Sequence, residues 1–188
     1  MVNSESTKWF ALHVRSRHEK SVHAQLEAKQ QDTFLPLYVS QTRYDNRVRH
    51  TSLPLFPGYV FCRFDANTRY TVLATSGVID VVRMGTEPAA IETAEIEAVQ
   101  QIVRSRLTSE PYPDLVTGQR VMMTQGPLCG LTGKLTTIRN SFRLVVSVEL
   151  LCRSVMVEID RDWVIPHHAG DTFPVIPSGP IASSATAR

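Results

Sequence analysis

The sequence predicts an α+β protein in two parts: helices laid against a largely antiparallel sheet, then a small five-stranded β-barrel. Three observations carry this. Up to residue 107, aromatic and β-branched runs alternate with helical segments in the order β-α-β-β-α-β-α. Residues 108–117 are polar, hold two prolines and show no periodicity, as a linker does. Beyond it, five short strands follow within about fifty residues, most of them separated by turns rich in Gly, Pro, Asn or Asp; closing such strands on one another removes exposed sheet edges. The expected units are residues 1–107, the linker 108–117, the barrel 118–166 and a mobile tail over 167–188.

Taken in order, residues 8–15 form an apolar, aromatic run that reads as a buried first strand. Ser16 is placed to cap a helix over 18–31, with Val22 and Leu26 one turn apart and facing the core. A second strand over 33–40 carries Phe34, Leu35, Leu37 and Val39. In residues 41–50, Asp45-Asn46 is a turn signal between strand-compatible residues. That segment reads as a hairpin tip carrying Arg43, Tyr44, Arg47 and Arg49, a pattern that fits phosphate or base contact as well as plain solvation.

Pro54-Leu55-Phe56-Pro57-Gly58 then makes a rigid entrance to the strand Tyr59-Val60-Phe61-Cys62-Arg63-Phe64, because proline cannot donate to a sheet ladder. Alternation puts Tyr59 and Phe61 on one strand face and Val60 and Cys62 on the other. A helix over 65–76, with Tyr70 and Leu73 inward, ends at Gly77. A strand over 78–83 ends at Gly85. Thr93 opens a helix with Glu95 and Glu97 in its first turn and Ile96, Val99, Ile102 or Val103, and Leu107 at helical spacing. Arg104 and Arg106 near its end complement the helix dipole. The barrel strands are read over 118–124, 133–139, 142–149, 154–159 and 163–165. Valine-rich residues 144–159 favour strand over helix, which predicts a barrel stable in isolation.

Composition excludes several classes. The formal net charge of the 188 residues is +2, so any nucleic-acid site must come from local clustering. Cys62, Cys129 and Cys152 are odd in number and widely spaced, which points to buried reduced thiols instead of a disulfide or zinc framework. The N-terminus lacks an apolar signal core, and no run of ~18 apolar residues exists; a soluble cytoplasmic protein is expected, with no membrane contact. There is no HExxH, Walker, GxSxG or dinucleotide motif, and Gly126-Pro-Leu-Cys-Gly130 precedes a strand, not the helix N-terminus a phosphate cradle uses. Asp160-Arg161-Asp162 reads as a turn. No enzymatic activity, cofactor or metal is expected.

The stretch from Val121 to Leu135 is the most specific local pattern: a strand ends, Gly126, Gly130 and Gly133 allow a tight loop, and a strand resumes. It resembles the KOW motif of SH3-like barrels. With Trp9-Phe10 opening the first strand, Phe56-Pro57-Gly58-Tyr59 in the centre and Gly77-Val78 before the next strand, the chain from Lys8 to about Pro166 resembles the NusG family of transcription elongation factors. Similarity is greatest to the specialised UpxY-type antiterminators related to RfaH. It is carried by Val14-Arg-Ser-Arg-His-Glu-Lys20, Phe34-Leu-Pro-Leu-Tyr38, Glu110-Pro-Tyr112 and the run over 144–155, where Cys152 replaces a usual Gln.

The resemblance implies an NGN-like N-terminal domain that lays an apolar patch on the β′ clamp helices of RNA polymerase and bridges the DNA cleft to the β gate loop. By position, the patch implied is Phe56, Tyr59, Phe61, Val81 and Val99, with His13 where a relative has tyrosine. Gate-loop contact falls near Arg69, Tyr70 and Thr71. Contact with the non-template DNA strand falls on Arg15, Arg17, His18, Lys20, Gln25 and Lys29. The barrel is implied to recruit NusE on the ribosome, or Rho, and the protein to act as a monomer. The residues alone leave a second reading open, a ribosome-associated or free RNA-binding protein acting through the barrel.

Overall fold

The computed structural model describes residues 7–44, 47–65, 68–112, 118–138 and 141–167. The N-terminal part runs β1 (Lys8–Val14), α1 (Glu19–Ala28), β2 (Asp32–Phe34), β3 (Leu37–Tyr44), β4 (Arg47–Pro54), β5 (Tyr59–Phe64), α2 (Arg69–Leu73), β6 (Val78–Val81), β7 (Arg83–Met84), β8 (Glu87–Pro88), β9 (Ala90–Ile91) and α3 (Thr93–Ser105). The most apolar strand lies innermost: β1 pairs antiparallel with β5 on one side and with β6 and β9 on the other, and β2 closes the edge beyond β5.

The period-2 alternation of β1 and β5 separates two cores. On one face Leu12, Val14, Val60 and Cys62 pack with Val22 and Leu26 of α1 and Val72 of α2. On the other, Trp9, Ala11 and Phe61 pack with Leu55, Phe56, Ile91 and the inward row Ile96, Val99 and Ile102 of α3. The expected alternation of Tyr59 and Phe61 against Val60 and Cys62 is therefore realised.

Several local expectations are corrected. Ser16 does not cap α1; His18 holds that position without a side-chain cap, and the Ser16 carbonyl instead lies 3.0 Å from His18 Nδ1. The expected strand over 33–40 is split, because the buried pair Leu35-Pro36 turns the chain and the Pro36 carbonyl accepts from Leu55 N at 2.9 Å. Tyr70 points outward, 83 % exposed, while Val72 takes the inward position of a helix only five residues long. Cys62 is buried, and burial pushes its thiol up to about 12, but Cys129 and Cys152 are exposed in turns.

The C-terminal part comprises β10 (Ser109–Tyr112), β11 (Gln119–Met123), β12 (Thr132–Ile138), β13 (Ser141–Val148), β14 (Arg153–Ile159) and β15 (Val164–Pro166). They form one antiparallel sheet in the order β10-β14-β13-β12-β11-β15. All five expected strands are present, and a sixth comes from the expected linker: residues 109–112 pair with 154–157 of β14. Pro111 is tolerated because β10 is an edge strand, where a missing N–H need not break a ladder. Tyr112 also packs on Val145 and Met156. Residues 113–117 of that linker and the expected tail from 168 lie outside the described residues.

The two parts touch. The core around Phe61 and α3 continues into Val121, Met123, Leu128, Leu131, Leu144 and Val146 of the second part. Gln101 Nε2 donates to the Pro127 and Cys129 carbonyls at 3.4 and 3.3 Å, and Glu149 N donates to Glu95 Oε1 at 3.2 Å. Helix α3 is thus the seam, with Ile96, Val99 and Ile102 buried and Glu95 and Gln101 bonded to the barrel.

Candidate functional site

The Phe-Pro-Gly-Tyr corner is held from two sides. Gly58 O accepts from Val14 N at 2.9 Å, and Gly58 N donates to Glu19 Oε1 at 2.9 Å. Glu19 is a buried acid at the start of α1. Its role was not legible in the sequence, where it sits among basic residues; an isolated acid in the first turn of a helix is the signal that could have found it.

The six expected patch residues do not form one surface. Phe56 and Phe61 are 1 % and 0 % exposed, edge to face at 5.3 Å, and Val99 is buried against them. Val81 belongs to the opposite core, with Leu12 and Val60, because β6 pairs Val81 with Leu12 and not with a residue of the aromatic face. Tyr59 and His13 are partnered across β5 and β1, with ring centroids 5.7 Å apart. Tyr59 is half-buried and His13 exposed. The barrel reaches this strip: the Arg153 guanidinium lies over the Tyr59 ring, 5.9 Å from its centroid, within cation–π range.

On its other side His13 is partnered by Asp80 of β6. The Val81 N–H and the Arg83 guanidinium, at 2.8 and 3.0 Å, hold the Asp80 carboxyl below its usual range. The accessible strip across three strands is therefore Tyr59, His13 and Asp80: an aromatic and an imidazole from the patch implied by the resemblance, with a carboxylate beside them that it does not include. Asp80 was missed because nothing local distinguishes it until β6 is placed beside β1.

The expected nucleic-acid residues divide into two groups. Arg15, Arg17 and His18 are exposed at the turn between β1 and α1, with Arg17 at φ 65°. Arg15 and Arg17 have no side-chain partner among the described residues. Lys20, Gln25 and Lys29 are engaged: Lys20 Nζ donates to Ser52 O at 2.8 Å, Gln25 Nε2 to Ser76 O at 3.3 Å, and Lys29 Nζ to Thr75 Oγ1 at 2.7 Å and Thr71 O at 3.2 Å. These three tie α1 to β4 and α2. Arg69, Tyr70 and Thr71 lie together on α2, with Tyr70 and Thr71 exposed.

In the barrel, Gly126, Gly130 and Gly133 fall in and just after one tight loop between β11 and β12. Gly126 has φ +74°, and a Cβ there would meet the Trp163 ring at 3.0 Å, so this position excludes other residues on two counts. The loop is a packing device against Trp163, whose carbonyl accepts from Thr124 N at 2.7 Å. Among the described residues, no group of three His, Cys, Asp or Glu side chains is placed to hold a metal, and no helix is long and apolar enough to cross a membrane.

An α+β sheet domain carrying an exposed basic turn and an aromatic strip, joined through one helix to a small β-barrel, defines a two-part binding protein. A family model described as "Transcription termination factor nusG" matches residues 7–100. The chain is similar to the transcription termination/antitermination protein NusG of Staphylococcus aureus (strain Newman), 25 % identical over 171 residues, covering 84 % of this chain and 94 % of that one. NusG of Staphylococcus epidermidis is 24 % identical over 173 residues, with the same coverage. The fold matches the structure titled "Domain interaction in Thermotoga maritima NusG" with a TM-score of 0.54 at 20 % identity, covering 87 % of this chain and 99 % of that one. The chain belongs to the NusG family.

Proposed function

We propose that the protein is a specialised elongation and antitermination factor of the UpxY type. In this reading it docks on the β′ clamp helices of RNA polymerase through the strip around Tyr59 and His13. It then reaches across the DNA cleft to the β gate loop through Arg69, Tyr70 and Thr71, suppressing pausing or termination at particular operons. Arg15, Arg17 and His18 contact the non-template strand. The factor acts in the cytoplasm as a monomer, and its barrel recruits NusE or Rho.

The observation that carries the reading is the half-buried Tyr59 beside an exposed His13, with Asp80 next to it, on a sheet face whose other aromatic residues are packed. Phe56 and Phe61 give the strip a rigid backing, which lowers the cost of ordering it on a partner. Aromatic side chains are the usual anchors of an interface, worth ~2 kcal/mol or more each on truncation. With Arg153 of the barrel over Tyr59, the barrel must shift before a partner takes this strip. Docking therefore competes with the contact between the two domains.

The test is capture by a β′ clamp-helix fragment. Phe56→Ala is unsuitable, because a fully buried ring is lost with the fold. Tyr59→Ala combined with His13→Ala, with the circular-dichroism spectrum unchanged, is expected to abolish capture; Ala98→Arg, which forces a long charged side chain into the α3–barrel seam, is expected to strengthen it. Equal capture by wild type and the Tyr59/His13 variant refutes docking through this strip.

A further inference from the structure

One buried side chain joins the basic turn to the docking strip. The turn carrying Arg15, Arg17 and His18 begins after Val14, the last residue of β1, and ends at Glu19, the first of α1. Both of its flanks bond to the same glycine: Val14 N donates to Gly58 O and Glu19 Oε1 accepts from Gly58 N, each at 2.9 Å. Within the turn, His18 N donates to Arg15 O at 3.0 Å, and Arg15 N donates to Gly77 O at 2.9 Å. Gly58 leads into Tyr59 and Gly77 into β6, which holds Asp80, while His13 precedes Val14. The whole strip of Tyr59, His13 and Asp80 is therefore anchored, within a few residues, to bonds made by this one turn.

Both ends of the connection are held in uncommon backbone conformations. Gly58 has φ +85°, and Tyr59 N closes the corner on Phe56 O at 3.1 Å. Arg17 stands at φ 65°, a left-handed conformation that an arginine keeps where its flanks are fixed. Glu19 is 7 % exposed. Among the described residues its carboxylate has the Gly58 N–H as its hydrogen-bond partner and forms no ion pair, although Arg17, His18 and Lys20 flank it in sequence. A buried carboxylate opposes folding unless its hydrogen bonds offset desolvation, and an apolar side chain of similar volume would pack without that cost. What the carboxylate adds is a charge-assisted bond to the amide that sets how β5 begins.

We propose that Glu19 is a positioning residue for both binding elements. It fixes the Gly58 corner so that Tyr59 is presented at the rim of the sheet, and it holds the Arg15–His18 turn against that corner. The two surfaces then meet their partners already ordered, which lowers the entropy lost on binding. The inference rests on the reading under Proposed function, in which Tyr59 docks on polymerase and the turn contacts single-stranded DNA. Glu19 itself is buried and acts through Gly58.

The experiment uses the full chain, a β′ clamp-helix fragment and a labelled single-stranded DNA. Glu19→Ala is expected to weaken both affinities by about 5-fold or more, and to do so equally in the Ala98→Arg background, where the barrel competes less for Tyr59. Glu19→Asp, one methylene short of Gly58 N, should behave in the same way and serves if the alanine variant does not fold. Glu19→Gln keeps an oxygen acceptor and should return both affinities to within about two-fold of wild type. Glu27→Gln, an exposed acid on the same helix, should change neither by more than about two-fold. By NMR, solvent exchange of the Gly58 amide should accelerate at least ~10-fold in Glu19→Ala while that of Phe61 stays slow. The Gly58 amide resonance should also move with pH as the Glu19 carboxyl titrates, and that movement should vanish in Glu19→Gln.

A lower melting temperature with both affinities unchanged makes Glu19 a stabilising residue only and overturns the proposal. So does a Glu19→Gln variant that binds no better than Glu19→Ala, or a Gly58 amide that stays protected in Glu19→Ala. The Tyr59→Ala/His13→Ala variant separates this inference from the reading beneath it. If that variant loses capture and Glu19→Ala keeps it, docking through the strip stands and the positioning role falls. If both keep capture, docking through the strip falls, and single-strand affinity with Gly58 exchange decides the role of Glu19 toward the turn.

Discussion

The two faces of the N-terminal sheet are built from alternate residues of the same strands, yet they are finished differently. The face of Leu12, Val14, Val60 and Cys62 is largely aliphatic, with the stacked Phe10–Phe64 pair at one end, and is closed by the domain's own helices through Val22, Leu26 and Val72. The face of Trp9, Ala11 and Phe61 is aromatic, and its core runs on past α3 into the barrel. A small aliphatic core is completed within its own domain. A broad aromatic one carries surplus apolar area, and here that area joins a second domain and leaves Tyr59 at its rim. The difference teaches where exchange of partners can occur: on the aromatic side, because among the described residues only there does the packing cross a boundary between domains.

The largest expected effect breaks the aromatic side. Phe61→Ala removes a ring that touches Phe34 and Phe56 at centroid distances of 6.2 and 5.3 Å. The loss is expected to be about 3–5 kcal/mol, the usual range for a buried phenylalanine. Because the core is continuous, unfolding of the barrel should move with unfolding of the sheet. The two tryptophans report separately, Trp9 in the sheet and Trp163 beside the barrel loop. In single-tryptophan versions of the variant, both transitions should shift to lower denaturant. A shift at Trp9 alone would show that the aromatic core stops at α3.

The aliphatic side gives the counterpart. Gly77 has φ +97°, and a Cβ there would stand 2.8 Å from Val22 Cγ2. Gly77→Ala is expected to cost about 1–3 kcal/mol from the strained backbone and the contact with α1. Because Trp9 lies on the aromatic face of the same sheet, both tryptophan transitions should move less than in the Phe61 variant, that of Trp163 least. A Trp163 shift as large as that of Phe61→Ala would mean that the two faces are not energetically separate, and the comparison fails.

How much of this was legible follows the same division. Alternation along β5 and helical spacing along α3 are properties of single elements, and both were readable from Tyr59-Val60-Phe61-Cys62 and Ile96-Val99-Ile102. Which face remains accessible depends on the barrel, where Arg153 lies far along the chain from the Tyr59 ring it covers, and no local pattern contains it. Val81 was misassigned for a related reason: its face is fixed by pairing with Leu12, beside a register shift between His13 and Val14. Lys20, Gln25 and Lys29 looked equivalent to Arg15 and Arg17 by composition. Their long side chains end on carbonyls and a hydroxyl of β4, α2 and the turn after it, partners that exist only once α1 is docked. The strand β10 was hidden because Pro111 and Pro113 read as a linker, and an edge position is the one place in a sheet where such a proline costs little.

The smallest expected effect sharpens the boundary itself. Glu95 lies on the seam, accepting a hydrogen bond from Glu149 N. Burial pushes its carboxyl above the usual range; that hydrogen bond opposes the rise, and the charges of Glu149 and Glu92 add to it. Arg120 and Lys134 line the same crevice without reversing the direction. A raised value in the assembled state means that assembly takes up a proton. The contribution of Glu95 is then fully present below the ordinary carboxyl range and is lost as pH rises through the raised value. At neutral pH the ionised carboxylate works against the contact. Glu95→Gln keeps an oxygen acceptor for Glu149 N and removes the charge, so it should strengthen the domain contact at neutral pH by less than about 1 kcal/mol. Thermal unfolding from about pH 4 to pH 8 should show a smaller loss of stability with rising pH in the variant than in wild type. On the proposed reading, in which docking competes with this contact, the same substitution should weaken clamp-helix capture slightly, opposite in sign to Ala98→Arg. A variant less stable than wild type at neutral pH would mean that the charge-assisted hydrogen bond outweighs desolvation, and that Glu95 holds the seam closed instead of loosening it.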